Sequence, residues 1–162
     1  LPECEVCHGN HLIRKPTDEM LGTGPEAVCA GCHEPGSTGY VAAQTMREHL
    51  ERLKTQLAGA EAVVTKAERL GMDVSEAAFE LHEAEAKLTQ ARTYVHAFSA
   101  DAMQPIAEEG LERAQRAQEQ GDQAVEAFNF RRHGLWMTLA IIGLLVGGLL
   151  LKIRHLDRSS KR

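Results

Sequence analysis

The chain has 162 residues, 4% of them aromatic, and its wealth of Ala, Glu, Leu and Gln favours long helices over sheets. Its net charge of −5 hides an asymmetry: residues 1–130 hold 11 basic against 22 acidic side chains (−11), and residues 131–162 hold 7 against 1 (+6). The acidic portion repels nucleic acid and excludes it as a partner, while a basic tail behind an apolar run points to a membrane.

The chain starts at Leu1, without an initiator Met, three residues before the first cysteine. That start is expected of a processed product or of a piece of a longer polypeptide. All four cysteines fall in residues 1–39, within "CEVCH" and "CAGCH". The same stretch holds Gly9, Gly22, Gly24, Gly31, Gly36 and Gly39 with Pro2, Pro16, Pro25 and Pro35. It reads as loops and turns without an apolar core of its own, so something besides side-chain packing must organise it.

Two C-x-x-C pairs admit a zinc ribbon with four thiolates around one ion, or a redox-active dithiol. Each pair, however, is followed at once by histidine: Cys4, Cys7 and His8, then Cys29, Cys32 and His33. A zinc ribbon needs no such histidine. C-x-x-C-H attaches a c-type haem, whose two vinyl groups take the thiols while the adjacent histidine binds the iron from below. Two covalent haems c are therefore expected on Cys4, Cys7, Cys29 and Cys32, with His8 and His33 as proximal ligands. They would also supply the missing apolar core.

From Tyr40 the pattern becomes helical. Met46, Leu50, Leu53, Leu57, Ala60, Val64 and Ala67 step by fours and threes, which predicts a helix over 40–70. "GMD" breaks it, with Asp73 or Ser75 as the next cap. Ala77, Leu81, Ala84, Leu88, Ala91, Val95 and Phe98 predict a second helix over 74–98. A third is expected over 103–133, with Pro105 in its first turn and Ala107, Leu111, Ala114, Gln118, Gly121, Val125 and Phe128 on its seam. The expected architecture is all-α: a dihaem segment (1–39), a three-helix up-down-up stalk (40–133) and a transmembrane helix (134–153).

That last helix carries "LWMTLAIIGLLVGGLLL", 17 uncharged residues from 135 to 151, near the lower limit for a span. Arg131 and Arg132 precede it. Lys152, Arg154, Arg158, Lys161 and Arg162 follow it, so the tail (154–162) is expected in the cytoplasm. The chain is then a single-pass protein of the cytoplasmic (inner) membrane with its cysteines on the periplasmic side. Gly143 and Gly147 form a small-xxx-small pair able to dock a partner's membrane helix.

Each iron needs a sixth ligand. His155 is cytoplasmic by this topology, and His133 lies at the membrane edge. In a hairpin turning near residue 72, His49 and His96 fall at the same height, at the end next to the cysteines. His82 lies 14 residues from His96, roughly 21 Å further along the helix. His11 follows His8 closely. The candidate distal ligands are thus His11, His96 and His49, in that order; Met20 and Met46 are thioether alternatives, and Arg14 and Lys15 could pair with haem propionates.

Residues 4–33, through "CHGNH", "PTDEML" and "AVCAGCH", resemble the doubled-CXXCH multihaem c-type cytochromes, and "FRRHGLW…LLLKIR" looks like the tail anchor of membrane-bound members. The resemblance implies extracytoplasmic electron transfer, commonly through bis-histidine haems, between a membrane respiratory partner and periplasmic redox proteins. It also implies that further haem motifs often lie upstream. No acid–base pair for substrate chemistry is evident, so an electron carrier is expected in place of an enzyme. The alternatives are a haem-bearing structural subunit of a respiratory complex, and a fragment of a multihaem reductase acting on nitrogen or sulfur oxyanions, which would need an open iron position.

Overall fold

The computed structural model describes residues 2–13 and 15–160. Arg14, one of the two expected propionate partners, and Lys161 and Arg162 of the basic tail lie outside the described residues. Among those described there is no strand. The fold is all-α: α1 (Cys4–His8), α2 (Thr38–Arg69), α3 (Ser75–Tyr94) and α4 (Ala100–Ser160), with single 3-10 turns at Asp18–Met20, Cys29–Gly31 and Val95–Ala97.

Local chemistry sets the helix ends. The Ser37 hydroxyl accepts the Tyr40 N–H at 3.3 Å and opens α2. Its far end closes with Gly71 at φ +74. Met72 N–H bonds to Ala67 O (3.2 Å) and Gly71 N–H to Glu68 O (2.8 Å), the paired bonds of a Schellman turn, in which the left-handed residue is best a glycine. The Asp73 carboxylate then accepts from the Ser75 N–H at 3.0 Å and its hydroxyl at 2.8 Å, starting α3.

Two boundaries differ from those the periodicity predicts. The second helix stops being α-helical at Tyr94 and winds tighter over Val95–Ala97 before Phe98, at φ 53. The third starts at Ala100, three residues early, because the Ser99 hydroxyl accepts the Ala102 N–H at 3.2 Å. Pro105 is therefore the sixth helical residue and not in the first turn. Nor do stalk and span form separate elements: α4 runs unbroken for 61 residues, roughly 92 Å, through Gly134 and on into the expected tail.

Cross-helix pairs give the directions. Glu80 on α3 meets Arg113 and Arg116 on α4 (3.4 and 3.1 Å), and Lys87 meets Glu109, so α3 and α4 are antiparallel. Gln56 on α2 donates to Gln118 on α4 at 2.7 Å, and Gly110 and Gly121 of α4 lie against Leu53 and Val63 of α2 in the same order, so α2 and α4 run together. Past the buried Met103, α4 presents small residues to both: Ala107, Gly110, Ala114, Ala117 and Gly121 are buried. A Cβ on Gly110 would come within 2.9 Å of Leu53 and 3.0 Å of Lys87; one on Gly121, within 2.8 Å of Val63. The expected seam positions Leu111, Gln118, Val125 and Phe128 lie at the margin instead, partly exposed. The reason is that α4 serves two neighbours, and only Ala and Gly allow close approach on both sides. α2 supplies the bulk through Met46, Leu50, Leu53 and Leu57, which meet Ala84, Leu88 and Ala91 of α3.

Beyond Gly121 no residue of α4 is buried, and from Phe130 onward the described side chains are exposed, Gly147 alone being intermediate. This stretch is long and apolar enough to cross a membrane, and none of its most apolar window is covered by protein. It is compatible with one membrane span.

Adding bulk at the α2–α4 contact should be costly. Gly121→Leu is expected to lower stability by about 1–3 kcal/mol, whereas Gly134→Ala, with nothing within 4 Å, should leave it equal or higher. Urea unfolding of the detergent-solubilised chain, followed by helix circular dichroism, separates the two outcomes.

Candidate functional site

Each cysteine motif is one helical turn. In α1, Cys4 and Cys7 are three residues apart and share a face, with His8 next to them. The second motif winds the same way: Cys32 N–H and His33 N–H both bond to Cys29 O, at 3.2 and 3.0 Å. A turn of this kind turns two thiols to one side and sets the following imidazole beside them. All four cysteines are free; Cys4 and Cys32 are exposed, Cys7 and Cys29 partly buried. Burial pushes the Cys7 thiol above its usual range, and Cys29, Cys32 and Cys4 push it further. Among the described residues no three His, Cys, Asp or Glu side chains are grouped so that they could hold one metal ion.

His8 is partly buried, and its ring centre lies 6.2 Å from that of His96, with the ring planes 17° apart. His96 belongs to the Val95–Ala97 turn, so the break in the second helix brings it to this place. Its Nδ1 lies 3.1 Å from Thr93 O. A carbonyl only accepts, so Nδ1 donates and Nε2 keeps its lone pair free. The other histidines are placed differently. His33 is exposed, its ring against Gly39 at the start of α2. His11 is exposed, with Nδ1 2.7 Å from Asn10 Oδ1. His49 is partly buried with Nδ1 unpaired; it stands two turns before Gln56, on the flank of α2 turned to α4. His82 and His155 are exposed, and His133 bonds back to Asn129 O at 2.7 Å. Met46 is core, packed with Leu21 and Leu50; Met20 is partly buried, and Lys15 is exposed.

The segment between the motifs is tied to α3 and α2 by a residue to which the spacing pattern assigns no role. Asp18, in the 3-10 turn between the motifs, accepts two hydrogen bonds from Arg92, both 2.8 Å, and one ion pair from Lys54 at 3.0 Å. Its side chain is 10% exposed. Leu21, three residues on, is buried among Met46, Leu50 and Leu53. Hydrogen bonds from Arg92, then from Lys54, with the charges of both, hold the Asp18 carboxyl down at about 2 against the cost of burial. One signal in the sequence pointed here: the hairpin register sets Lys54 level with Arg92, two cations at one height on an acidic chain, although Glu51 of the same helix also pairs with Lys54, at 3.0 Å.

Compared with protein-family models, with curated proteins and with solved structures, the chain finds no match.

Because the folded carboxyl of Asp18 titrates below its unfolded value, its stabilisation is complete above about pH 4 and is lost as the pH falls towards 2. Asp18→Asn should lower stability by about 1–3 kcal/mol at pH 7. It should also flatten the fall in unfolding midpoint between pH 5 and pH 2, which denaturant titrations at stepped pH would record.

Proposed function

We propose that the chain is a membrane-anchored dihaem c-type cytochrome. It works outside the cytoplasm as an electron carrier between a membrane respiratory partner and periplasmic redox proteins. The observation that carries this reading is the doubled C-x-x-C-H, each copy wound as one turn with its thiols on one side and its histidine adjacent. Cys4 and Cys7 hold one haem c, Cys29 and Cys32 the other, and His8 and His33 are the proximal ligands. Bound in this way, haem supplies one-electron chemistry at its iron.

The His8–His96 geometry supports a distal role for His96. The two rings are stacked, with centres 6.2 Å apart and planes 17° from parallel, so His96 is the histidine that comes against the first motif's own imidazole. Thr93 O fixes the tautomer with Nε2 free, the orienting bond that ligating histidines usually make. His96 therefore ranks first among the distal candidates, and His11 and His49 remain for the second iron. The apolar Val6, Leu12 and Ile13 of the cysteine segment, and Phe98 beside His96, are exposed and offer surface that a macrocycle would cover. A centre closed by two imidazoles leaves no position for a substrate, which favours a carrier over a reductase.

The heavier basic flank, Lys152, Arg154 and Arg158, supports a cytoplasmic C-terminus with the haem segment on the periplasmic side. From Ala100 to Leu135 is 35 residues of unbroken α4, roughly 52 Å. At that height the haems do not meet quinol in the bilayer, so electrons pass through a second protein. The uncovered span with its Gly143/Gly147 pair supports one variant of the reading, in which the chain is the haem-bearing subunit of a larger respiratory complex.

The deciding measurement is a count of covalent haem by pyridine haemochrome, with electron paramagnetic resonance of the full chain. Two covalent haems are expected, at least the one on Cys4 and Cys7 being low-spin. His96→Ala should abolish that low-spin signal, while His82→Ala leaves the spectrum intact. Bound zinc with no haem would sink the reading; an unchanged spectrum in His96→Ala would remove His96 as ligand.

A further inference from the structure

The two motif histidines are held by different devices. His8 is partly buried and level with His96, whereas His33 is exposed and has main chain under its ring. A Cβ built on Gly39 would overlap the imidazole at Cε1, Nδ1 and Nε2. An aromatic ring does not bend, so a rotation of the His33 side chain would be needed to clear the overlap. Gly39 is the second residue of α2. Glycine is the poorer helix former there, and no positive φ demands it. The turn beneath the ring is itself pinned by the Ser37 cap on Tyr40. Nothing in the backbone therefore calls for glycine at 39, and a Cβ there would turn the exposed His33 ring out of the place it now holds.

We propose that Gly39 is a positioning residue for the second motif. Its bare α-carbon is the shelf on which the His33 ring is set, and it fixes the orientation of that ring relative to Cys29 and Cys32. The inference rests on the reading of His33 as a proximal haem ligand. Because His8 has no such shelf, the two centres are inequivalent. The orientation of an axial imidazole governs both the anisotropy of a low-spin iron signal and its potential, so a change at residue 39 acts on one centre alone.

The test is Gly39→Ala in the full-length chain in detergent, read by redox titration, electron paramagnetic resonance and haem-peptide mass. The expected result is one titration wave and one resonance signal displaced, the other wave and signal unmoved, and helix melting not lowered. Loss of haem from the Cys29/Cys32 peptide alone, with the other retained, supports the same conclusion, since a displaced His33 cannot seat its haem. Both waves and both signals unmoved would overturn it. So would an equal displacement by Thr38→Ala, which alters the same turn without adding a Cβ under the ring. Absence of covalent haem from the unsubstituted chain would overturn the proposed function instead, and is seen before any variant is made.

Discussion

The carboxylate of Asp18 receives two hydrogen bonds from Arg92 and an ion pair from Lys54, and the seating of the cysteine segment depends on it. That segment has almost no core. Between α1 and α2 only Leu21 and Gly22 are buried among the described residues. Leu21 anchors by area, but burial is non-directional and would tolerate many orientations. A planar guanidinium facing a carboxylate at two points tolerates few. Lys54 brings α2 into the same clamp, so a loop, the ascending helix and the descending helix meet at one group. His96 lies four residues beyond Arg92, one turn further along the chain. The contact that ties the segment to α3 thus lies one turn from the imidazole against which His8 is stacked.

Spatial economy at the other end rests on small side chains. A Cβ at 110 would push α4 off both neighbours, because Leu53 of α2 and Lys87 of α3 already occupy that space, and one at 121 would push it off Val63 of α2. Leucines on α2 fill the volume that α4 leaves. The helix that gives up side chains to pack in the stalk then gives up packing altogether, and continues as an uncovered apolar rod. No cap, proline or left-handed residue interrupts it between Pro105 and Ser160, so the stalk and the apolar run are one mechanical piece. On the proposed reading, this rod fixes how far from the bilayer electrons must be delivered.

Much of this was legible in the residue order. Helical periodicity is local: apolar positions three and four apart mark a buried stripe whatever the stripe faces. Hence the all-α class, the buried positions of α2 and the uncharged run at 135–151 follow from spacing alone. The thiol–thiol–imidazole order of both motifs is likewise local, since one turn of helix brings them together. Boundaries were less legible. Pro105 reads as a helix start, yet Ser99 supplies a better cap further upstream, and a proline at the sixth position costs only one hydrogen bond at an exposed helix end.

The hairpin register, at 1.5 Å of rise per residue, put His49 and His96 at one height and Lys54 level with Arg92. What it did not determine is azimuth. The same seam of apolar residues serves a three-helix bundle that turns to either hand, and the two hands exchange the flanks of α2. Only the packed structure decides that His49 is turned to α4 while His96 stands opposite His8, and that Lys54 and Arg92 close on Asp18. Height comes from the chain's own geometry, and the sequence carries it. Direction comes from which side chains exclude one another when three helices and a loop are brought together, and that exists only in the folded whole.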